Sequence, residues 1–179
     1  MNHTVTNTLA RAVRAIDALS EWTGRGIAWL TLAMVLIQFV IVVLRYVFDW
    51  NRIYIQESVV YLHALVFLLG AAYTLKNEGH VRVDIFYREM RPKGKALVNL
   101  FGTLLLLLPT FGFIFWTAWG YVLDSWAIME SSREAGGIPA VYLLKTTMLV
   151  MAGLMLLQGL AELLRNLLTL TGHTVEQEG

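Results

Sequence analysis

Four long stretches of the chain carry no Lys, Arg, Asp or Glu: Gly26–Leu44 (19 residues), Ser58–Leu75 (18), Ala96–Leu123 (28) and Thr146–Ala161 (16). The 14 basic and 13 acidic side chains are all crowded into the remainder of the 179 residues. Amphipathic elements of a soluble domain interleave polar and apolar positions, so this segregation predicts membrane-crossing helices instead. A span needs about 20 mainly apolar residues to cross a hydrocarbon core roughly 30 Å thick. The first three stretches meet that length. The fourth does so if it starts at Ile138 or Pro139 and carries Lys145 in its first two turns, where the long stem can snorkel toward headgroups. The expectation is an all-α integral membrane protein: a single four-span domain with spans near 26–46, 57–75, 96–123 and 139–163. The 28-residue third segment would reach about 42 Å as a straight helix, so it must tilt or bend, and Pro109 is the predicted bend.

The polar segments between the spans have patterns of their own. Before the first span, Leu9, Val13, Ile16 and Leu19 recur at helical spacing with charges between them, which predicts a short amphipathic helix on the membrane surface; a frayed tail is the alternative. Arg11, Arg14, Asp17, Glu21 and Arg25 precede any apolar core, so a cleavable signal peptide is not expected and the first span stays attached. In the link 76–95, Val81, Val83 and Ile85 alternate with Arg82, Asp84 and Phe86, but a lone strand has nothing to pair with beside a bilayer. An interfacial helix or turn is more economical. It would set Ile85, Phe86 and Met90 in the acyl boundary and turn Arg82, Arg88 and Arg91 toward phosphates, until Pro92 stops it and Lys93 and Lys95 open span three. In the loop 124–138, Trp126, Ile128 and Met129 lie near the surface, and Gly136, Gly137 and Pro139 punctuate the entry to span four.

Basic residues set the orientation, because short loops rich in Lys and Arg stay cytoplasmic. Ten of the 14 fall on one side: Arg11, Arg14, Arg25, Lys76, Arg82, Arg88, Arg91, Lys93, Lys95 and Arg165. Only Arg45, Arg52, Arg133 and Lys145 fall on the other. Both termini, the link 76–95 and the tail 164–179 are thus expected in the cytoplasm, with loops 49–56 and 124–138 facing outward. Tyr46, Phe48, Trp50, Tyr54, Trp116, Trp119, Tyr121, Trp126 and Tyr142 gather at the outer boundary as an aromatic belt. Composition agrees: 57% of residues are hydrophobic, above the roughly 45–50% of soluble domains. A soluble enzyme, a nucleic-acid module and a disordered chain are excluded, and a net charge of +1 gives no pull toward a polyanion. With no cysteine in the chain, disulfides, thiolate metal sites and cysteine nucleophiles are excluded.

Reaction chemistry is nearly absent. His63 is the one histidine inside a span, so a haem held by histidines from two spans lacks a second ligand, and a packed or hydrogen-bonded helix residue is the better reading. No Gly-x-Ser-x-Gly turn occurs. His80 and Asp84, four apart, could share a helix face as metal ligands or a proton relay, but two ligands do not make a site; a turn fixed by a local His–Asp hydrogen bond is the simpler account. Arg45 closes span one and Glu57 opens span two, and an ion pair across that hairpin would ease the cost of holding either charge near hydrocarbon; independent snorkelling is the alternative. Gln38 and Gln158 are expected to hydrogen-bond other helices, while Ala152 and Gly159, seven apart, make a smooth stripe for close helix contact. Nothing resembles an ion pathway.

Arg45-Tyr46 at the end of span one, Glu57 opening span two, Gly70 within it and Gly79-His80-Val81-Arg82-Val83-Asp84 after it resemble the small membrane subunit (Q subunit, DctQ-like) of tripartite ATP-independent periplasmic (TRAP) transporters. The likeness covers nearly the whole chain, including span number and orientation. The run Glu130, Gly136-Gly137-Ile138-Pro139, Lys145 and Gln158 is similar to a branch often labelled for mannitol or chloroaromatic compounds, although the substrate would be set by the other two subunits. The resemblance implies a non-catalytic subunit of a three-part importer in the inner membrane of a bacterium or archaeon. A periplasmic binding protein would capture an organic acid, and a separate large multi-span subunit would carry the substrate and sodium sites, so no cofactor is expected in this chain. Arg45, Glu57, His80, Asp84, Lys145 and Gln158 carry over as assembly residues, with Arg52 and Arg133 as docking contacts for the binding protein. Arg82, Arg88, Arg91, Lys93 and Lys95 would meet lipid headgroups. Two other classes compete: a membrane-anchor subunit of a redox enzyme, which predicts haem or quinone, and a small homo-oligomeric channel, which needs a polar stripe beyond Gln38, His63, Asn99 and Gln158.

Overall fold

The computed structural model describes residues 3–81 and 85–171. Its elements run α1 (His3–Val47), α2 (Ile53–Lys76), α3 (Pro92–Gly102), a π-helical turn (Thr103–Leu107), α4 (Leu108–Ala127) and α5 (Val141–Leu170), with no strand among the described residues. Four helical units are long and apolar enough to cross a membrane: α1, α2, the continuous Pro92–Ala127 rod and α5.

The first unit differs from expectation. The amphipathic stretch around Leu9–Leu19 is not a separate helix on the membrane surface but the first half of α1, a single helix of 45 residues, about 68 Å long at 1.5 Å per residue. No proline interrupts the sequence between the two halves, and the polar face has somewhere better to go than the headgroup layer. Val13 is fully buried and Ser20 nearly so, because this half of α1 runs beside α5 and α2.

The third span is irregular just before Pro109, and the irregularity has a visible cause. Pro109 has no N–H to give to the carbonyl four residues back, and its ring crowds that carbonyl. The helix answers one turn upstream by widening: Leu108 donates its N–H to the Thr103 carbonyl, five residues back, which defines the π turn. Pro92, at the first turn of α3, sits where a missing N–H costs nothing.

Of the interfacial helix or turn expected after α2, the described residues take the turn. Glu78 adopts a left-handed backbone (φ 52°), Gly79 donates to the Thr74 carbonyl at 2.9 Å and Glu78 to that of Leu75 at 3.1 Å. This pair of bonds satisfies the last carbonyls of α2 and reverses the chain. Ile85–Glu89 then follow as turns, and Ile85 and Phe86 project outward as expected. Arg82 and Asp84 lie outside the described residues.

The spans do not close into a four-helix bundle. α5 packs against every other helix, α1 packs on α2, and among the described residues neither α1 nor α2 packs on α3 or α4. α5 is therefore the hub between two wings. Small residues let the wings approach it: Ala152 and Ala161 are fully buried, and a Cβ at Gly159 would meet Leu107 Cδ2 at 2.5 Å and Leu108 Cδ2 at 3.1 Å. Across the α1–α2 contact, the Tyr73 ring fills the space a side chain at Gly24 would need. The stripe of Ala152 and Gly159 is thus a helix contact, as its spacing suggests.

Candidate functional site

The ionisable side chains collect at the two ends of the hub. At the end carrying the termini, α1 presents Asp17, Ser20 and Glu21 at helical spacing toward α5 and α2. The Gln158 side chain, fully buried, accepts from Ser20 Oγ at 2.7 Å and donates from Nε2 to Asp17 Oδ1 at 3.0 Å. Arg165, 8% exposed, reaches Asp17 Oδ2 with one terminal nitrogen at 2.6 Å and Glu162 with the other. Lys76, at the last turn of α2, donates to Glu21 Oε2 at 2.7 Å, and Arg25 shares the other Glu21 oxygen at 2.8 Å. α1 is thereby clasped to the hub, and α2 to α1, by buried or half-buried charge-assisted bonds, the strong kind.

At the opposite end the carboxylates hold a loop instead. Glu57, near the start of α2, accepts from the Ser132 hydroxyl and, at 2.6 Å, from the Ile138 backbone N–H. Glu130 accepts from Lys145 and from Ser125 Oγ at 2.7 Å. The Lys145 ammonium also lies 3.9 Å from the centre of the Tyr121 ring, a cation–π contact. Backbone bonds complete the loop: Ser132 N–H to Ile138 O at 3.2 Å and Val141 N–H to Glu130 O at 3.0 Å. The Lys145 bond, and after it the Ser125 bond, hold the Glu130 carboxyl below the ordinary glutamate range. Gly137 leaves the room that Glu57 uses, since a Cβ there would lie 2.7 Å from Glu57 Oε2. Trp126 donates its indole N–H to Thr146 Oγ1 at 2.9 Å and stacks edge-on against Tyr142, fixing the end of α4 on the start of α5.

The residues singled out in the sequence divide accordingly. Glu57, Lys145 and Gln158 all make bonds between elements. The expected Arg45–Glu57 pair does not form: both Glu57 oxygens are taken by the loop, while Arg45 stays exposed beside the Tyr46 ring, 5.9 Å away. Arg52 and Arg133 are exposed at the outer surface, Arg52 over Trp50 at 5.4 Å. A shallow groove of about 440 Å³ runs there, between Trp50–Tyr54 and Ala135–Gly136. His80 is exposed, and its proposed partner Asp84 is outside the described residues, as is Arg82. Arg88, Arg91 and Lys93 are exposed, and Lys95 lies 5.3 Å from the Tyr87 ring. Gln38, expected to bond another helix, is exposed on α1. Sequence reasoning missed Asp17, Ser20, Glu21, Lys76, Glu162 and Arg165 as a connected set. The signal was present: Gln158, Glu162 and Arg165 recur at i, i+4 and i+7, one polar stripe along the second half of α5.

Among the described residues no three His, Asp or Glu side chains gather as a metal site. What the geometry defines is a multi-span α-helical membrane protein whose charges join helix to helix and helix to loop. The chain belongs to the family of tripartite ATP-independent periplasmic transporters, DctQ component, which matches residues 34–169. It is also 31% identical over 85 residues to the C4-dicarboxylate TRAP transporter small permease protein DctQ of Vibrio cholerae, a match covering 48% of this chain and 35% of that protein. The chain thus spans about a third of the length of the curated relative it matches. No solved structure matches. Membership in this family makes the chain a multi-pass inner-membrane component of a transport system rather than an enzyme.

Proposed function

We propose that the chain is a small permease subunit that scaffolds a separate large transport subunit and helps dock a periplasmic binding protein during sodium-coupled uptake of an organic acid. The observation that carries this reading is how the polar groups are used. The ionisable groups at both ends of the hub are engaged with one another or with the loop, while α1 and α4 turn bare apolar faces outward, with Trp29 73% and Trp116 82% exposed. A subunit built this way offers helix faces to a partner and few intramembrane acids to a substrate, and those few, Glu57 and Glu162, are already engaged. Substrate and sodium sites belong in the large subunit, and this chain needs no cofactor. The name of the Vibrio cholerae relative makes a four-carbon dicarboxylate the first substrate to test. The termini are assigned to the cytoplasm by the Lys and Arg count, which places the loop 128–140 and the groove beside Arg52 in the periplasm. Arg88, Arg91, Lys93 and Lys95 face the anionic inner leaflet in this orientation, at about 1 kcal/mol per cation near the surface.

The test is a mild-detergent pull-down of the tagged chain from its native membrane, with mass spectrometry of what co-purifies. One much larger multi-span protein in near-equal amount is the expected result. Recovery of a flavin or iron–sulfur protein, or of this chain alone as a homo-oligomer, would replace the scaffold reading with a redox anchor or a channel. Reversing Arg52 and Arg133 to Glu should then weaken uptake while leaving the subunit in the membrane; unchanged uptake kinetics would remove docking from the proposal.

A further inference from the structure

The two wings leave a gap between them. α2 and the α3–α4 rod both pack on α5 but not on each other, and at the end carrying the termini the gap widens into a cavity of about 540 Å³. Its ionisable and amide side chains lie at one end, and Thr103 and Thr110 carry hydroxyls along the wall toward the other. His80, Asn99 and Glu162 line the part near the termini; Leu106, Phe111 and Met155 line the part nearer the membrane centre. Along α5, seven residues separate Glu162 from Met155, about 10 Å of helix rise. Along the opposite wall, Asn99 and Phe111 are separated in the same sense. The π turn that precedes Pro109 forms part of this wall, and Leu106 on it is turned outward. Such turns are frequent at functional positions.

Ionisable and amide groups at one end, a mainly apolar wall at the other and an open side match an amphiphile that enters from the surrounding leaflet. The cations are on the matching side. Arg91, Lys93 and Lys95 stand around the start of α3; Lys95 lies over the Tyr87 ring, and the Tyr87 hydroxyl accepts from Asn99 Nδ2 at 2.9 Å at the cavity wall. A helix is a poor occupant: at 10–12 Å across with its side chains, little more than about one turn would fill 540 Å³. We propose that this cavity holds one acyl chain of a membrane phospholipid, with its phosphate toward Lys95 and the start of α3, and that the lipid joins the two wings where, among the described residues, α2 does not pack on α3 or α4. In the proposed orientation the lipid comes from the cytoplasmic leaflet.

Gly102 gives the test, because it lines the cavity and a Cβ built on it meets nothing within 4 Å. Gly102→Leu should fill the space without disturbing the fold. Gly120→Leu is the control, since its Cβ is equally unobstructed and it lies on α4 away from the cavity. The complex as extracted from its membrane, washed extensively in detergent, should retain phospholipid in near-stoichiometric amount in the wild type and in Gly120→Leu, and lose it in Gly102→Leu. A photoreactive amino acid in place of Leu106 should add the mass of a phospholipid on irradiation. Equal retention in all three proteins, or an adduct to a protein segment in place of lipid, would overturn the proposal. So would a wild type that carries only detergent yet keeps its unfolding temperature when phosphatidylglycerol–phosphatidylethanolamine vesicles are added back.

Discussion

The two ends of the hub use the same residue types to different effect. Near the termini, Asp17, Glu21, Lys76, Glu162 and Arg165 connect three long helices, and the bonds are shielded: Arg165 and Lys76 are each 8% exposed. At the far end, Glu57 and Glu130 act on a short stretch of chain, taking backbone and hydroxyl donors from residues 125–138. The first arrangement decides where helices stand. The second decides the shape of one loop between two helices already placed by apolar packing. The difference teaches that a charge inside a membrane protein is an assembly device only where its partner is on another helix; elsewhere it shapes the surface a partner meets.

The sharpest way to break this comparison is to remove Arg165. Asp17 and Glu162 would then be left as uncompensated carboxylates beside a buried Gln158, and breaking a buried pair in this way costs about 3–5 kcal/mol. Arg165→Met should therefore lower the unfolding midpoint strongly and expose the first half of α1 to protease. Neutralising all three positions together, as Asp17→Asn, Glu162→Gln and Arg165→Met, should recover much of the loss, because a pair replaced whole is often near neutral. Equal losses in the single and triple variants would mean that the charges are not coupled. A smaller effect is expected from Gly159→Leu, which drives a side chain into Leu107 and Leu108. Overpacking of this kind costs about 1–3 kcal/mol, and it should loosen the α3–α4 wing while α1 and α2 stay clasped, as reported by thermal unfolding with wing-specific cross-links.

The sequence carries the spans far better than it carries the clasps, and the reason is physical. Hydrocarbon imposes length and polarity on every residue of a span, so 26–46 or 57–75 is legible without knowing any neighbour. Pro109 likewise announces a break in the regular helix through its own missing N–H, and the break appears upstream as a π turn. An ion pair is a relation between two helices whose register no local pattern encodes. Arg45 and Glu57 flank one short connection and so suggest each other, yet Glu57 finds donors 75 and 81 residues away. Asp17 and Arg165, separated by 148 residues, offered no local cue to each other. The polar stripe on α5 was visible; its partner was not. The amphipathic first half of α1 reads from sequence as a surface helix for the same reason, since apolar periodicity reports that a face is buried without reporting against what.

At the far end the effects should be local. Glu57→Ala removes the acceptor for Ser132 and Ile138 while leaving the backbone bonds of the loop in place. Trypsin cleavage after Arg133, slow in the wild type, should become fast, and the global unfolding midpoint should move less than in Arg165→Met. Glu57→Gln should fall between the two, because an amide keeps one acceptor oxygen and loses the other. Global unfolding as severe as that of Arg165→Met would erase the distinction between the two ends.

The smallest effect belongs to acid. Lys145 first, and Ser125 second, hold the Glu130 carboxyl below its ordinary value of 4.5, so the folded loop binds this proton less readily than the unfolded chain does. By linkage, the stability that Glu130 contributes is fully present above its unfolded value and is lost as pH falls through the lower, folded value. The loop should thus be indifferent to pH from neutral down to about 5 and loosen only below the ordinary carboxylate range. Because the chain contains no cysteine, Ser131→Cys gives a single labelling position at the exposed edge of the loop. A polarity-sensitive fluorophore there should report a transition on acidification that Glu130→Gln abolishes. If the Glu130→Gln protein shows the same transition, the titrating group is another acid and the Glu130–Lys145 bond does not set the loop's response.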